Sequence, residues 1–224
     1  MRIAALLAAS AVMASCSQAV GGNAERSTSS PTAPPSAIRT APTTSPTAMT
    51  PGPGAPMSAV SAWVEAGATA DPARYHSATR GGATTDLGAG VAFVTPSGKT
   101  NCMTDAGPSA GALACLVALK DPPPRPEDAY GEWKGGWIDY DGRSLRVGSV
   151  HGDPGRFAAG TGPELPYGQS LAFGDYRCRS DQAGLVCVNY AHQSAARLSD
   201  AGVQTFGCLQ PATAPPQIGE MFSC

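Results

Sequence analysis

The chain has 224 residues, a mass of 22.6 kDa, 14% charged side chains and a formal net charge of −2. That length holds one ordinary domain, or a small domain with a long tail, and the charge excludes a nucleic-acid binder, which needs a basic patch to release phosphate counterions. Seven cysteines are an odd number, and an odd cysteine in an exported protein needs its own chemistry.

Arg2 supplies a positive start, and residues 3–14 are then uncharged and rich in Ala and Leu. Twelve helical residues span about 18 Å, too short for a hydrocarbon core of roughly 30 Å. The run reads as the apolar region of a signal peptide covering residues 1–15. It ends in Val12-Met13-Ala14-Ser15-Cys16, which resembles the bacterial lipobox, with Met13 where Leu is commonest. Such signals are cleaved before the cysteine. Cys16 would become the new N-terminus and carry a thioether-linked diacylglycerol. Several acyl chains, each contributing about 0.8 kcal/mol per buried methylene, anchor a protein stably.

Residues 16–58 read as a tether. Within 27–58, 28 of 32 residues are Ser, Thr, Pro, Ala or Gly, eight are Pro, and Arg39 is the only charge. Such a segment buries too little apolar surface to offset its chain entropy. Spaced prolines favour an extended polyproline II chain of about 3.1 Å per residue.

The folded domain is expected from Ala59 to Cys224. A short helix is predicted over 58–65, with Ser58 or Ser61 as N-cap and Trp63 and Val64 facing the core. Asp71-Pro72 predicts a second helical turn, since Pro suits the position after an Asp cap. After Gly81-Gly82 the signals become strand-like: 91–94, 100–103, the apolar run 112–119 as a buried central strand, 171–173, 176–179 and 185–190. Asp121-Pro-Pro-Pro-Arg-Pro126 excludes regular structure. Asp141-Gly142 between 137–140 and 143–147 predicts a two-residue hairpin. That register opposes Tyr140 to Arg143 and Ile138 to Leu145, with Val147 on the same core face. It sends Trp137, Asp139, Ser144 and Arg146 to solvent. The expected fold class is α+β, mainly β: a compact, disulfide-stapled antiparallel β domain with one or two short N-terminal helices.

With Cys16 assigned to lipid, Cys102, Cys115, Cys178, Cys187, Cys208 and Cys224 remain. Six exported cysteines allow three disulfides in fifteen connectivities. Cys178 and Cys187 flank the turn-rich segment 180–184, and Cys102 and Cys115 flank the polar loop 105–111 in the same way. Cross-strand cysteines in a non-hydrogen-bonded pair approach near 4.5 Å between Cα atoms, within disulfide reach. Cys208 and Cys224 are left to tie down a Pro-rich C-terminal tail. No CxxC spacing supports zinc, and no metal or other cofactor is expected.

The segments PSGKTNCM, ALACLV, LPYGQSLAFGDYRCRS and GLVCVNYAHQSA resemble mycobacterial lipoproteins of the LppI type, and more loosely a wider group of actinobacterial exported domains. The resemblance covers most of the chain. It implies an envelope location, lipidation and disulfides, and names no activity.

Candidate chemistry is sparse. Ser97-Gly98-Lys99-Thr100 ends like a phosphate-binding loop, but Phe93 stands where the first glycine belongs. Gly168-Gln169-Ser170-Leu171-Ala172 approaches a nucleophile elbow, with His192 and Asp200 following. Ser170 opens a strand, however, where the elbow needs a strand–turn–helix. His76, His151 and His192 are widely separated. Asp139, Asp141, Asp153 and Glu164 offer carboxylates for an acid–base pair. Tyr130, Trp133 and Trp137 could present rings to a sugar face, with Trp137 opposite Arg146. The expectation is a non-enzymatic lipoprotein on the outer face of the cytoplasmic membrane. It would present a binding domain to an envelope glycan, lipid or protein. A hydrolase using Ser170, His192 and Asp200, or a carboxylate pair, is the alternative.

Overall fold

The computed structural model describes residues 49–104, 111–151 and 155–224. The expected signal peptide, Cys16, most of the expected tether, residues 105–110 and Asp153 lie outside the described residues.

A helix, α1 (Met57–Glu65), precedes fifteen strands. These are β1 (Ala68–Thr69), β2 (Ser77–Arg80), β3 (Ala83–Asp86), β4 (Ala92–Val94), β5 (Thr100–Thr104), β6 (Leu113–Val117), β7 (Trp133–Tyr140) and β8 (Ser144–Val150). They continue as β9 (Gln169–Phe173), β10 (Tyr176–Asp181), β11 (Gly184–Asn189), β12 (Ser194–Ser199), β13 (Gly202–Gly207), β14 (Gln210–Ala212) and β15 (Ile218–Ser223). The expected turn after Asp71 is a 3₁₀ helix, Pro72–Tyr75, whose first turn is capped by the Asp71 carboxylate accepting from the Ala73 N–H at 3.1 Å. The helix over the 58–65 region starts one residue early, with Pro56 rather than Ser58 or Ser61 at the N-cap position. Ahead of it, the Thr50 hydroxyl donates to Asp181 at 2.8 Å and Pro51 is buried.

The strands form a sandwich. One sheet runs β1-β9-β10-β11-β12-β13 and the other β14-β15-β8-β7-β6-β5-β4. Every pairing is antiparallel except β1 with β9. Alternation along each strand fills the space between the sheets. Leu171, Cys178, Leu185, Cys187 and Leu198 come from one side; Phe93, Cys102, Cys115, Ile138, Leu145 and Val147 come from the other. The outer faces are also covered. Val60, Trp63 and Val64 of α1 pack on Val186, Val188 and Phe206. The β2–β3 hairpin and the 3₁₀ segment Gly155–Ala159 cover Ala92, Met103, Ala114 and Trp137 on the other sheet. The domain is therefore mainly β, with one α-helix among the described residues, as its alternating apolar runs require.

All six cysteines pair in sequential order. Cys102–Cys115 and Cys178–Cys187 join directly opposed residues of neighbouring strands, with Cα–Cα distances of 4.1 and 4.0 Å. Each lies in the core, one per sheet. Cys208–Cys224, at 4.7 Å, has a different task. Cys208 follows the edge strand of the first sheet and Cys224 follows β15 of the second, so this bond ties the two sheets together. The C-terminal segment is more than a stapled tail: β15 pairs with β8 from Ile218↔Ser149 to Ser223↔Ser144.

The β7–β8 hairpin departs from its expected register. Tyr140 opposes Leu145, Asp139 opposes Arg146 and Ile138 opposes Val147, a shift of two residues on β8. The cause is Asp141, whose carboxylate accepts from the Arg143 and Ser144 N–H groups at 2.8 and 2.6 Å and from the Ser144 hydroxyl at 3.0 Å. This side-chain-built turn replaces the two-residue loop. A shift of two preserves the faces, so the core assignment of Ile138, Tyr140, Leu145 and Val147 holds. Further along, β7 bulges between Lys134 and Ile138. A Cβ on Gly136 would meet the Val117 carbonyl oxygen at 2.0 Å, so the bulge needs glycine there.

Candidate functional site

The aromatic platform does not form. Trp137 does point to the outer face of its sheet, but that face is covered and Trp137 is only 1% exposed. It stacks on His151 at 3.5 Å between ring centroids and meets Phe157 edge-on at 5.2 Å. Its cross-strand neighbour on β6 is Leu116, while Arg146 faces Asp139. Trp133 is half-buried against Gly148, and Tyr130 alone is fully open.

Ser170, His192 and Asp200 are not brought together. Ser170 is buried, and its hydroxyl donates to the Val64 carbonyl at the end of α1. The buried Arg179 beside it donates to the Trp63 carbonyl at 2.6 Å and stacks on the Trp63 ring at 4.0 Å. Both side chains donate to carbonyls in the last turn of the helix, where the Val64 carbonyl also accepts from the Gly67 N–H at 3.2 Å. His192 lies in the β11–β12 loop and Asp200 in the β12–β13 loop, at opposite ends of a six-residue strand. At roughly 3.3 Å per residue they are about 20 Å apart. Asp200 is occupied by Lys99 at 2.6 Å and Lys120 at 3.2 Å, which hold its carboxyl below the ordinary range. Since Lys99 belongs to the second sheet's β4–β5 loop, this is a clasp between sheets. Ser97-Gly98-Lys99-Thr100 is that loop's turn, with the Gly98 N–H donating to the Thr95 carbonyl at 2.8 Å.

A cleft of about 570 Å³ opens instead at the end of the β7–β8 hairpin, where the two sheets meet. Such a volume lies in the range of small-molecule sites. Its floor comes from Asp139, Ser144, Arg146 and Arg156. Gly174, Asp175 and Asn189 of the first sheet form the opposite wall. Tyr140 and Tyr176 line the back, 1% and 3% exposed.

A buried polar network fixes that back wall. The Tyr176 hydroxyl donates to the Tyr140 carbonyl at 2.8 Å. The Ser194 hydroxyl donates to the Gly142 carbonyl at 2.5 Å, so its oxygen accepts the Tyr140 hydroxyl at 2.7 Å. Burial raises the pKa of both phenols, which keeps them protonated donors. Gly142 has φ +90°, and a Cβ there would strike Asn189 and His192 at 2.6–2.7 Å.

The floor, and the Trp137–His151 stack outside the cleft lining, are less satisfied. Asp139 Oδ1, His151 Nε2, Trp137 Nε1 and Arg156 Nη1 are buried atoms without hydrogen-bond partners. His151 Nε2 is 3.8 Å from Asp139 Oδ2, too far for a hydrogen bond. Burial lowers the His151 pKa, and Arg156 and Lys134 lower it further against the opposing pull of Asp139. Among the described residues, Arg146 and Arg156 make no ion pair. No group of three or more metal-ligating side chains is found among them either. The carboxylates expected to pair are dispersed: Asp141 is spent on its turn, and Glu164 lies in the segment that bridges to Val94.

No residue spacing announced this cleft, because its lining, which also includes Gly111 and Ala112, comes from five separated stretches of chain. No family model matches the chain, and neither a curated protein nor a solved structure matches it.

Proposed function

We propose that the chain is an exported lipoprotein, held by a diacylglyceryl group on Cys16 at the outer face of the cytoplasmic membrane. Residues beyond Cys16 tether a β sandwich that acts as a binding module, with the cleft at the end of the β7–β8 hairpin as its ligand site. The observation that carries the binding reading is the cleft itself: about 570 Å³ of polar space whose floor holds buried charged atoms without partners. Orphaned buried polar atoms are costly unless a ligand or water meets them. The pairing of the other six cysteines supports the assignment of Cys16 to lipid, since it leaves no intramolecular partner for that thiol. Three disulfides also suit an oxidising, extracytoplasmic compartment.

Two measurements test the two halves. Cys16→Ser should move the protein from the membrane pellet to the soluble fraction; retention in the pellet contradicts the anchor. A polar low-molecular-weight envelope extract should shift the amide NMR resonances of Tyr140, Arg146 and Asp175. Resonances that stay in place contradict the binding module.

A further inference from the structure

The cleft contains charges of both signs that make no Lys or Arg ion pair within the fold, with only His151, 3.8 Å from Asp139, nearby. Asp141 can be set aside, since two backbone N–H groups and the Ser144 hydroxyl occupy its carboxylate. Four charged groups then remain: Asp139, Arg146 and Arg156 on the floor, and the exposed Asp175 on the opposite wall. Asp139 and Arg146 are directly opposed across β7 and β8, yet make no ion pair within 4 Å. Asp139 Oδ1 and Arg156 Nη1 are buried and unpartnered. The four sum to zero charge.

Resting on the reading of this cleft as a ligand site, we propose that it binds a small zwitterion. One carboxylate would be held by Arg146 and Arg156, and one ammonium group by Asp139 and Asp175. A lone anion would meet two uncompensated carboxylates, and a lone cation two uncompensated guanidiniums. A molecule with both charges satisfies both sets, and guanidinium pairs with carboxylate in a planar, bidentate geometry. A saccharide is the less favoured occupant. Sugar rings stack on open aromatic faces, and the two tyrosines lining this cleft are 1% and 3% exposed. Their rings pack edge to face against each other at 5.4 Å, and both hydroxyls are bonded within the protein.

The test uses the full chain in detergent, with its disulfides intact, and four probes differing in charge: triglycine, N-acetyl-triglycine, triglycinamide and glucose. Binding is read from saturable amide shifts of Asp139, Arg146 and Asp175 in ¹H–¹⁵N NMR spectra. Triglycine is expected to bind most tightly, with acetylation or amidation each weakening it about tenfold or more, the size of one lost charge-assisted contact. Asp175→Asn should weaken triglycine and triglycinamide but not N-acetyl-triglycine, and Arg156→Gln should weaken triglycine and N-acetyl-triglycine but not triglycinamide. Equal binding of the blocked and free peptides overturns the zwitterion while leaving the cleft a ligand site, as does saturable binding of glucose alone. No cleft shift with any of the four overturns both. The wild-type series decides the matter even if a variant fails to fold.

Discussion

Ser194→Ala should cost more stability than Tyr140→Phe, although the two remove neighbouring hydroxyls from one hydrogen-bonded chain. Removing the Tyr140 hydroxyl leaves Ser194 still donating to Gly142, at 2.5 Å, so only one exchangeable bond is lost. That costs about 1 kcal/mol. Removing the Ser194 hydroxyl orphans two buried groups at once, the Tyr140 phenol and the Gly142 carbonyl. At roughly 1–3 kcal/mol per buried orphan, the loss is about 3 kcal/mol. In the double variant only the carbonyl is orphaned, at about 1.5 kcal/mol on the same scale, so the two changes fall short of additivity by about 2.5 kcal/mol. Urea unfolding of the oxidised protein, followed by Trp fluorescence, reads these as shifts in midpoint at unchanged slope. Additive costs, or a larger loss for Tyr140→Phe, would refute the donor order assigned to the back wall.

Three further outcomes follow from the packing. Replacing Cys208 and Cys224 together by Ser should cost about 3 kcal/mol in the chain-entropy account for a closed loop of this length, and should loosen one sheet against the other, seen as faster amide exchange in β15. The His151 pKa is lowered on folding, chiefly by burial, so the unfolded chain takes up the proton more readily. The stability from keeping this ring neutral is fully present above its ordinary value of 6.5 and is lost as pH falls through the lower folded value. Urea midpoints should therefore drop on acidification from 6.5 towards the lower folded value in the wild type, and drop less in His151→Gln. Ser170→Ala should lower stability by about 1–2 kcal/mol through the lost bond to the Val64 carbonyl. An ester-hydrolysing activity abolished by that change would contradict its role as a helix cap.

How far the sequence discloses this molecule depends on whether a local pattern carries the signal. Strands β4 to β6 and β9 to β11 are legible because apolar runs are broken by Gly and Pro turns. The disulfide order is legible because each pair brackets a single turn or tail. The β2–β3 hairpin turns on Gly81-Gly82, with φ of +57° and +85°, but its flanks, Ser-Ala-Thr-Arg and Ala-Thr-Thr-Asp, show no apolar alternation. Strand β15 is hidden behind a Pro-rich approach and gains its place by pairing with β8 and β14. Trp137 shows the same limit at one residue. Alternation places it correctly on the outer face of its sheet. What covers that face, Phe157 and His151, comes from a stretch with no periodic signal. The cleft is less legible still, because Asp139, Arg156 and Asp175 meet only through tertiary packing.

In the proposed lipoprotein one of the seven cysteines anchors and six staple, and intact mass of membrane-extracted protein tests that division most directly. The predicted species begins at Cys16, carries a diacylglyceryl group, and gains six hydrogens on reduction, two for each of the three disulfides. An unmodified Cys16 in the membrane fraction, or two or more free thiols before reduction, would contradict it.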